Sequence, residues 1–163
     1  MSKAFAIACL IALSYVQAHA ANPQDQNKTI AKRVFLELYN QNKFDIADRI
    51  YAKDFVNHGL HRNVGLKEDQ DAARGWKQAF PDLVISVDQT IAEGDLVTVL
   101  WSGRGTNTGN GNGITATGKT VEARGITIWR IVDGKITEEW SEFEEWSGAI
   151  GQRCVSARAT HRL

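Results

Sequence analysis

The stretch VEARGITIWRIV-DG-KITEEWSEF, residues 121–143, decides the fold. Val121 to Val132 is rich in β-branched and aromatic residues and reads as a strand. Ile136 to Phe143 returns beside it. Between them stands Asp133-Gly134, a pair that tolerates two successive positive φ angles, so the runs close into a tight hairpin. A plain two-residue turn pairs Ile131 with Ile136, Trp129 with Glu138, Thr127 with Trp140 and Gly125 with Glu142. Alternation then puts Glu138, Trp140, Glu142 and Glu144 on one face, beside Trp129 and Thr127. The opposite face carries Ile126, Ile128, Ser141 and Phe143.

Upstream, Val84 to Ile91 and Leu96 to Trp101 are two more β-rich runs, joined through the turn signal Glu93-Gly94-Asp95. Thr106 to Gly118 is loaded with Gly, Asn and Thr and reads as a long loop or a ragged strand end. Before residue 81 the period changes. Ile30, Val34 and Leu38 form a helical stripe within Thr29 to Tyr39, and Phe44 to Tyr51 reads as a second short helix. Leu66 to Phe80 reads as a third, stopped by Pro81. Helices followed by an antiparallel meander predict an α+β domain with the helices on one face of a curved sheet. Such a sheet leaves a cone open at one end, a natural ligand pocket.

The ends read differently. Met1 to Lys3, the apolar Ala4 to Val16 and Ala18-His19-Ala20 have the order of a signal peptide cleaved after residue 20, so the chain is expected to be exported. The apolar run is short for a bilayer, which takes about 20 residues to span. Residues 21–28 read as a flexible lead, 29–152 as one domain and 153–163 as a polar tail. Cleavage removes Cys9 and leaves Cys154 alone, so no disulfide forms within the mature chain. With 19 basic against 19 acidic residues, the chain has no long-range attraction for nucleic acid.

Several residues could carry chemistry. Glu138, Glu139, Glu142, Glu144 and Glu145 lie among Trp140, Phe143 and Trp146, and a carboxyl pressed against indole rings loses hydration and gains a proton affinity suited to acid/base work. The alternative is a row of solvated strand ends. His58 and His61 form a His-x-x-His pair expected on a loop, without the frame a metal site needs, so no metal is expected. Trp76, Trp101, Trp129 and Trp140 serve equally as core fillers or as walls for a flat ligand. Gly109, Gly111 and Gly113 are followed by no helix and do not make a dinucleotide fingerprint.

Taken in order, Asp54-Phe55-Val56-Asn57-His58, Ala79-Phe80-Pro81-Asp82-Leu83, Ile91-Ala92-Glu93-Gly94-Asp95, Arg104 to Gly109, Ala116-Thr117-Gly118-Lys119 and Asp133-Gly134-Lys135-Ile136 with Glu138-Glu139-Trp140 and Phe143-Glu144 resemble one family. The chain looks like the SnoaL-like polyketide and ester cyclases of the nuclear transport factor 2-like superfamily, over roughly residues 32–152. The resemblance implies a cone-shaped α+β barrel, a mainly antiparallel sheet wrapped around N-terminal helices, in an assembly such as a homodimer. It implies catalysis without metal or organic cofactor, by a pocket carboxylate at the end of the last strand. Glu144 stands where the family has Asp, and Asn107 where its loop usually has His.

On that basis the expected function is a cofactor-independent cyclase-like enzyme acting on a small hydrophobic carbonyl or ester compound. Glu144 is the expected acid/base, with His58 and Asn57 polarising or orienting the substrate. Trp76, Trp129 and Trp140 are the expected apolar walls, with Glu142 beside them. The rival readings are an exported carrier that only binds a ligand in the same cone, and a structural dimer whose cone is filled by its own side chains.

Overall fold

A computed structural model describes residues 22–59 and 61–145. The segments read as a signal peptide and a polar tail, and Cys154, lie outside them. A helix α1 (Pro23–Arg33) runs into a π-helical turn (Val34–Tyr39). A 3₁₀ turn (Phe44–Ile46) and the short α2 (Ala47–Ile50) lead to strands β1 (Tyr51–His58) and β2 (Asn63–Gly65). Then follow α3 (Leu66–Ala79), β3 (Val84–Glu93), β4 (Leu96–Thr106), β5 (Thr120–Val132) and β6 (Lys135–Glu145). The six strands form one sheet in the order β2-β1-β6-β5-β4-β3. Every pairing is antiparallel except β1 with β6. The α+β cone expected from the sequence is the architecture found. No helix among the described residues is long and apolar enough to cross a membrane.

Two expectations are corrected at the start of the chain. The stretch read as a flexible lead is helical from Pro23, because Asn22 accepts a hydrogen bond from Gln24 N at 3.0 Å and Pro23 supplies a preset first-turn φ. Tyr51 to His58, read as a helix end and a loop, is a strand whose main partner, β6, lies far along the chain. Asn40 joins the helical layer to the sheet. Its side-chain amide donates to Ile85 O at 2.7 Å and accepts from Ile85 N at 2.8 Å. Val34, Phe35 and Leu38 of the π-helical turn are buried against Val97, Val99, Trp101 and Trp129.

The β5–β6 hairpin carries the decisive correction. Asp133 and Gly134 both have positive φ, 49° and 74°, and Ile131 pairs with Ile136 as expected. The register then slips: Arg130 pairs with Glu138, Trp129 with Glu139, Thr127 with Ser141 and Gly125 with Phe143. Thr137 is the extra residue of a β-bulge, its hydroxyl donating to Arg130 O at 3.3 Å. A one-residue slip exchanges the two faces of a strand. Glu139, Ser141 and Phe143 therefore join Thr127 and Trp129 on the concave side, and Glu138, Trp140, Glu142 and Glu144 go to the outer side.

Candidate functional site

The concave face encloses a cavity of about 330 Å³. Its walls are aromatic and aliphatic: Phe35, Trp76, Phe80, Trp101, Trp129 and Phe143 border it, among others. Gly125 makes room for one wall. A Cβ built there would lie 2.4 Å from the Trp101 ring and 2.7 Å from Phe143 Cβ, so only glycine lets the indole lie across β5. Trp101 Nε1 then reaches Thr127 Oγ1 at 3.1 Å.

Polar groups gather at one part of this wall. Glu139, on β6, accepts from Trp129 Nε1 at 2.7 Å and from Asn57 Nδ2 at 3.3 Å. The Asn57 amide also donates to Asp69 Oδ1 at 2.8 Å, so one NH₂ group bridges two carboxyls from β6 and α3. Gln70 Nε2 donates to the other Asp69 oxygen at 3.2 Å. Glu139 is half-buried, and its carboxyl borders the cavity among apolar and acidic neighbours. This burial, reinforced by the negative charge of Asp69 and opposed by the Trp129 hydrogen bond, pushes its pKa up to about 8. Asp69 is likewise raised, by burial, against the hydrogen bonds from Asn57 and Gln70. Tyr39 and Tyr51, which also border the cavity, are raised by burial and stay neutral. Asn57 thus holds together two carboxyls that repel each other, and the pair keeps a proton at neutral pH.

The residues singled out from sequence divide between the two sides of the sheet. Asn57, Trp76 and Trp129 line the cavity. Glu142 and Glu144 are exposed on the outer side, Glu144 in register with Arg124. His58 and Trp140 also lie outside the cavity lining, their rings stacked at 4.6 Å and 9°. His58 Nε2 is 2.7 Å from Glu138 Oε2, and Arg130 spans Glu138 Oε1 and Asp95 Oδ2 at 2.7 Å each. The hydrogen bond from His58, then Arg130, holds the Glu138 carboxyl below its usual range. This brace ties β1 to β6 from outside while Asn57, the preceding residue, points inward. His58→Ala should leave any turnover within about threefold and cost under about 1 kcal/mol in a thermal melt, because partly exposed ion pairs contribute little.

Glu139 and Asp69 are the site residues that sequence reasoning missed. Glu139 stood in the acidic run but on the wrong side of a plain hairpin, and Asp69 looked like an ordinary first-turn acidic residue of α3. Asn107, at the position where the resemblance places a loop histidine, is fully buried and structural. Its amide donates to Ala79 O and Gly109 O at 3.1 and 3.0 Å and accepts from Thr117 N at 2.9 Å, which fastens the 107–119 loop onto the end of α3. No cluster of three or more potential metal ligands occurs among the described residues.

Similar folds occur in a Jannaschia sp. CCS1 protein assigned as a SnoaL-like polyketide cyclase (TM-score 0.70, 22% identity, 76% of this chain and 89% of that one). AclR of Streptomyces galilaeus, assigned as a hydroxylase, aligns with TM-score 0.68 and 24% identity over 74% of this chain and 76% of its own. IdmH of Streptomyces antibioticus, assigned as a polyketide cyclase, aligns with TM-score 0.64 and 21% identity over 77% and 95%. At these identities the likeness is one of fold. No curated protein matches the sequence. The family model for SnoaL-like polyketide cyclases matches residues 29–147, most of the chain. The chain belongs to the SnoaL-like polyketide cyclase family.

Proposed function

We propose that the protein is a cofactor-independent, exported enzyme that moves a proton on a small hydrophobic carbonyl compound, with Glu139 as acid and base. One observation carries this reading: a carboxyl with its pKa pushed up to about 8 sits at the edge of an aromatic cavity, held by Trp129 and Asn57. A base of that strength is matched to neutral conditions and, desolvated, is effective against a weakly acidic C–H bond. The cavity has room for roughly eleven waters at about 30 Å³ each, which suits a one- or two-ring compound. No lysine, arginine or histidine borders it among the described residues, so an uncharged substrate enters at lower cost than a carboxylate.

The test needs no knowledge of the natural substrate. The protein should catalyse exchange of the α-hydrogens of 2-indanone for deuterium in D₂O, with saturation. An absence of exchange from a panel of such ketones, with binding retained, would favour a non-catalytic carrier. The rate should rise with pH through about 8, because only the ionised Glu139 accepts a proton. The charged or titratable groups facing Glu139 are Asp69 from α3, Tyr51 from β1 and Tyr39 from the π-helical turn. Asp69→Asn removes the nearby negative charge, so the midpoint should move down towards the ordinary glutamate range. The plateau rate at high pH should fall as the base weakens.

A further inference from the structure

Two residues beyond Glu139 on the same face of β6 is Ser141, which also borders the cavity. Its hydroxyl lies 2.8 Å from Thr127 Oγ1, and Thr127 Oγ1 already accepts from Trp101 Nε1. Either hydroxyl could donate to the other, but the two arrangements are not equivalent. Thr127 is only 2% exposed. If Ser141 donated to it, the Thr127 hydrogen would be buried with neither of these two neighbours able to accept it. If Thr127 donates to Ser141, the chain Trp101 to Thr127 to Ser141 is satisfied throughout, and the one hydrogen left over belongs to Ser141, the less buried of two residues that both border the cavity. Of the other side-chain N–H donors gathered here, both Asn57 hydrogens, that of Trp129 and one of Gln70 go to the two carboxyls.

We infer that the Ser141 hydroxyl, oriented by Thr127 and Trp101, donates a hydrogen bond to the substrate's carbonyl oxygen while Glu139 takes the α-hydrogen, so that the site is built for enolisable ketones and esters. This inference rests on the role proposed for Glu139. Residues i and i+2 of a strand stand about 6.5 to 7 Å apart on one face, a gap that a carbonyl and its α-carbon bridge when each end makes a contact of about 3 Å. The step balances within the site. The α-C–H bond breaks and its proton passes to the Glu139 carboxylate. The electron pair forms the C=C bond of the enolate, and the carbonyl π pair moves to the oxygen that Ser141 holds. Return of the proton, or of deuterium, to carbon completes exchange. A donor set at the point where charge develops contributes more in the transition state than in the ground state.

The experiment has two readouts on the full mature chain with 2-indanone. The first is the carbonyl stretching frequency of the bound ketone by difference infrared spectroscopy, which does not depend on turnover. In wild type it should lie below that of the ketone in an apolar solvent, and Ser141→Ala should return it to that value. The second is exchange. Ser141→Ala should lower kcat by about 10- to 100-fold with KM changed less than about threefold. Thr127→Val, which removes the orienting hydroxyl, should lose less than Ser141→Ala, and Thr127→Ser should recover the wild-type rate. An unshifted carbonyl in wild type, an unchanged shift in Ser141→Ala, or no saturable binding would overturn the inference. A lost shift in Ser141→Ala with no exchange by wild type would leave Ser141 in place as the carbonyl donor and remove the proton-transfer role of Glu139.

Discussion

Glu139→Gln is expected to reduce exchange by about 10³-fold or more while making the protein more stable above neutral pH. The loss follows from the chemistry: the amide is nearly isosteric but cannot take a proton from carbon. The gain follows from linkage. The folded-state pKa of about 8 lies above the ordinary 4.5, so the folded protein holds a proton that the unfolded chain releases. This group therefore costs nothing below about pH 4.5, and its cost grows as pH rises towards 8 and then levels off. In wild type, stability should fall across that window. In Glu139→Gln the fall should flatten, with a net gain on the order of 2 kcal/mol at pH 8 after allowance for coupling to Asp69. Opposite changes in activity and stability mark a group kept for function, and urea unfolding at pH 5, 6.5 and 8 measures the second half.

Gly125→Ala should be the most damaging single methyl addition in the sheet. The new Cβ would meet the Trp101 indole at 2.4 Å and Phe143 Cβ at 2.7 Å, and neither neighbour is the end of a flexible chain. Either the indole swings into the cavity, leaving Trp101 Nε1 without Thr127, or β5 moves away from β4. Overpacking and a lost buried hydrogen bond together should cost about 3 kcal/mol, seen as a fall of roughly 10 °C in Tm. Ligand binding should fall more than stability, because the displaced indole occupies the space a ligand needs.

Much of the architecture is legible because its signals are local. The β5–β6 hairpin follows from Asp133-Gly134, and α3 from its apolar stripe and the proline two residues beyond its end. The meander is written in runs rich in Val, Ile, Thr and Trp. Two features that build the site have no such signature. Nothing in Ile136-Thr137-Glu138-Glu139 announces a bulge, since every residue there suits a strand with or without an extra position. That single residue decides which glutamates face inward, and so separates Glu139 from Glu144. Strand β1 is as hard to read: Tyr51 to His58 mixes Lys53, Asp54 and Asn57 with apolar residues, and its strand character comes from pairing with β6. The π-helical turn at Val34–Tyr39, which brings Phe35, Leu38 and Tyr39 to the cavity, likewise arises from packing. Asn57 was found because its motif drew attention to it. Its partners, Asp69 and Glu139, come from elements that meet only in the folded chain.

The proposed activity depends on one carboxyl, that of Glu139, and its titration is the most direct test. The ¹³Cδ resonance of Glu139, assigned by its absence in Glu139→Gln, should follow pH with a midpoint near 8 and move down in Asp69→Asn. A midpoint at or below the ordinary 4.5 would mean a solvated or charge-paired carboxylate, and would contradict the buried proton carrier on which the proposed activity depends.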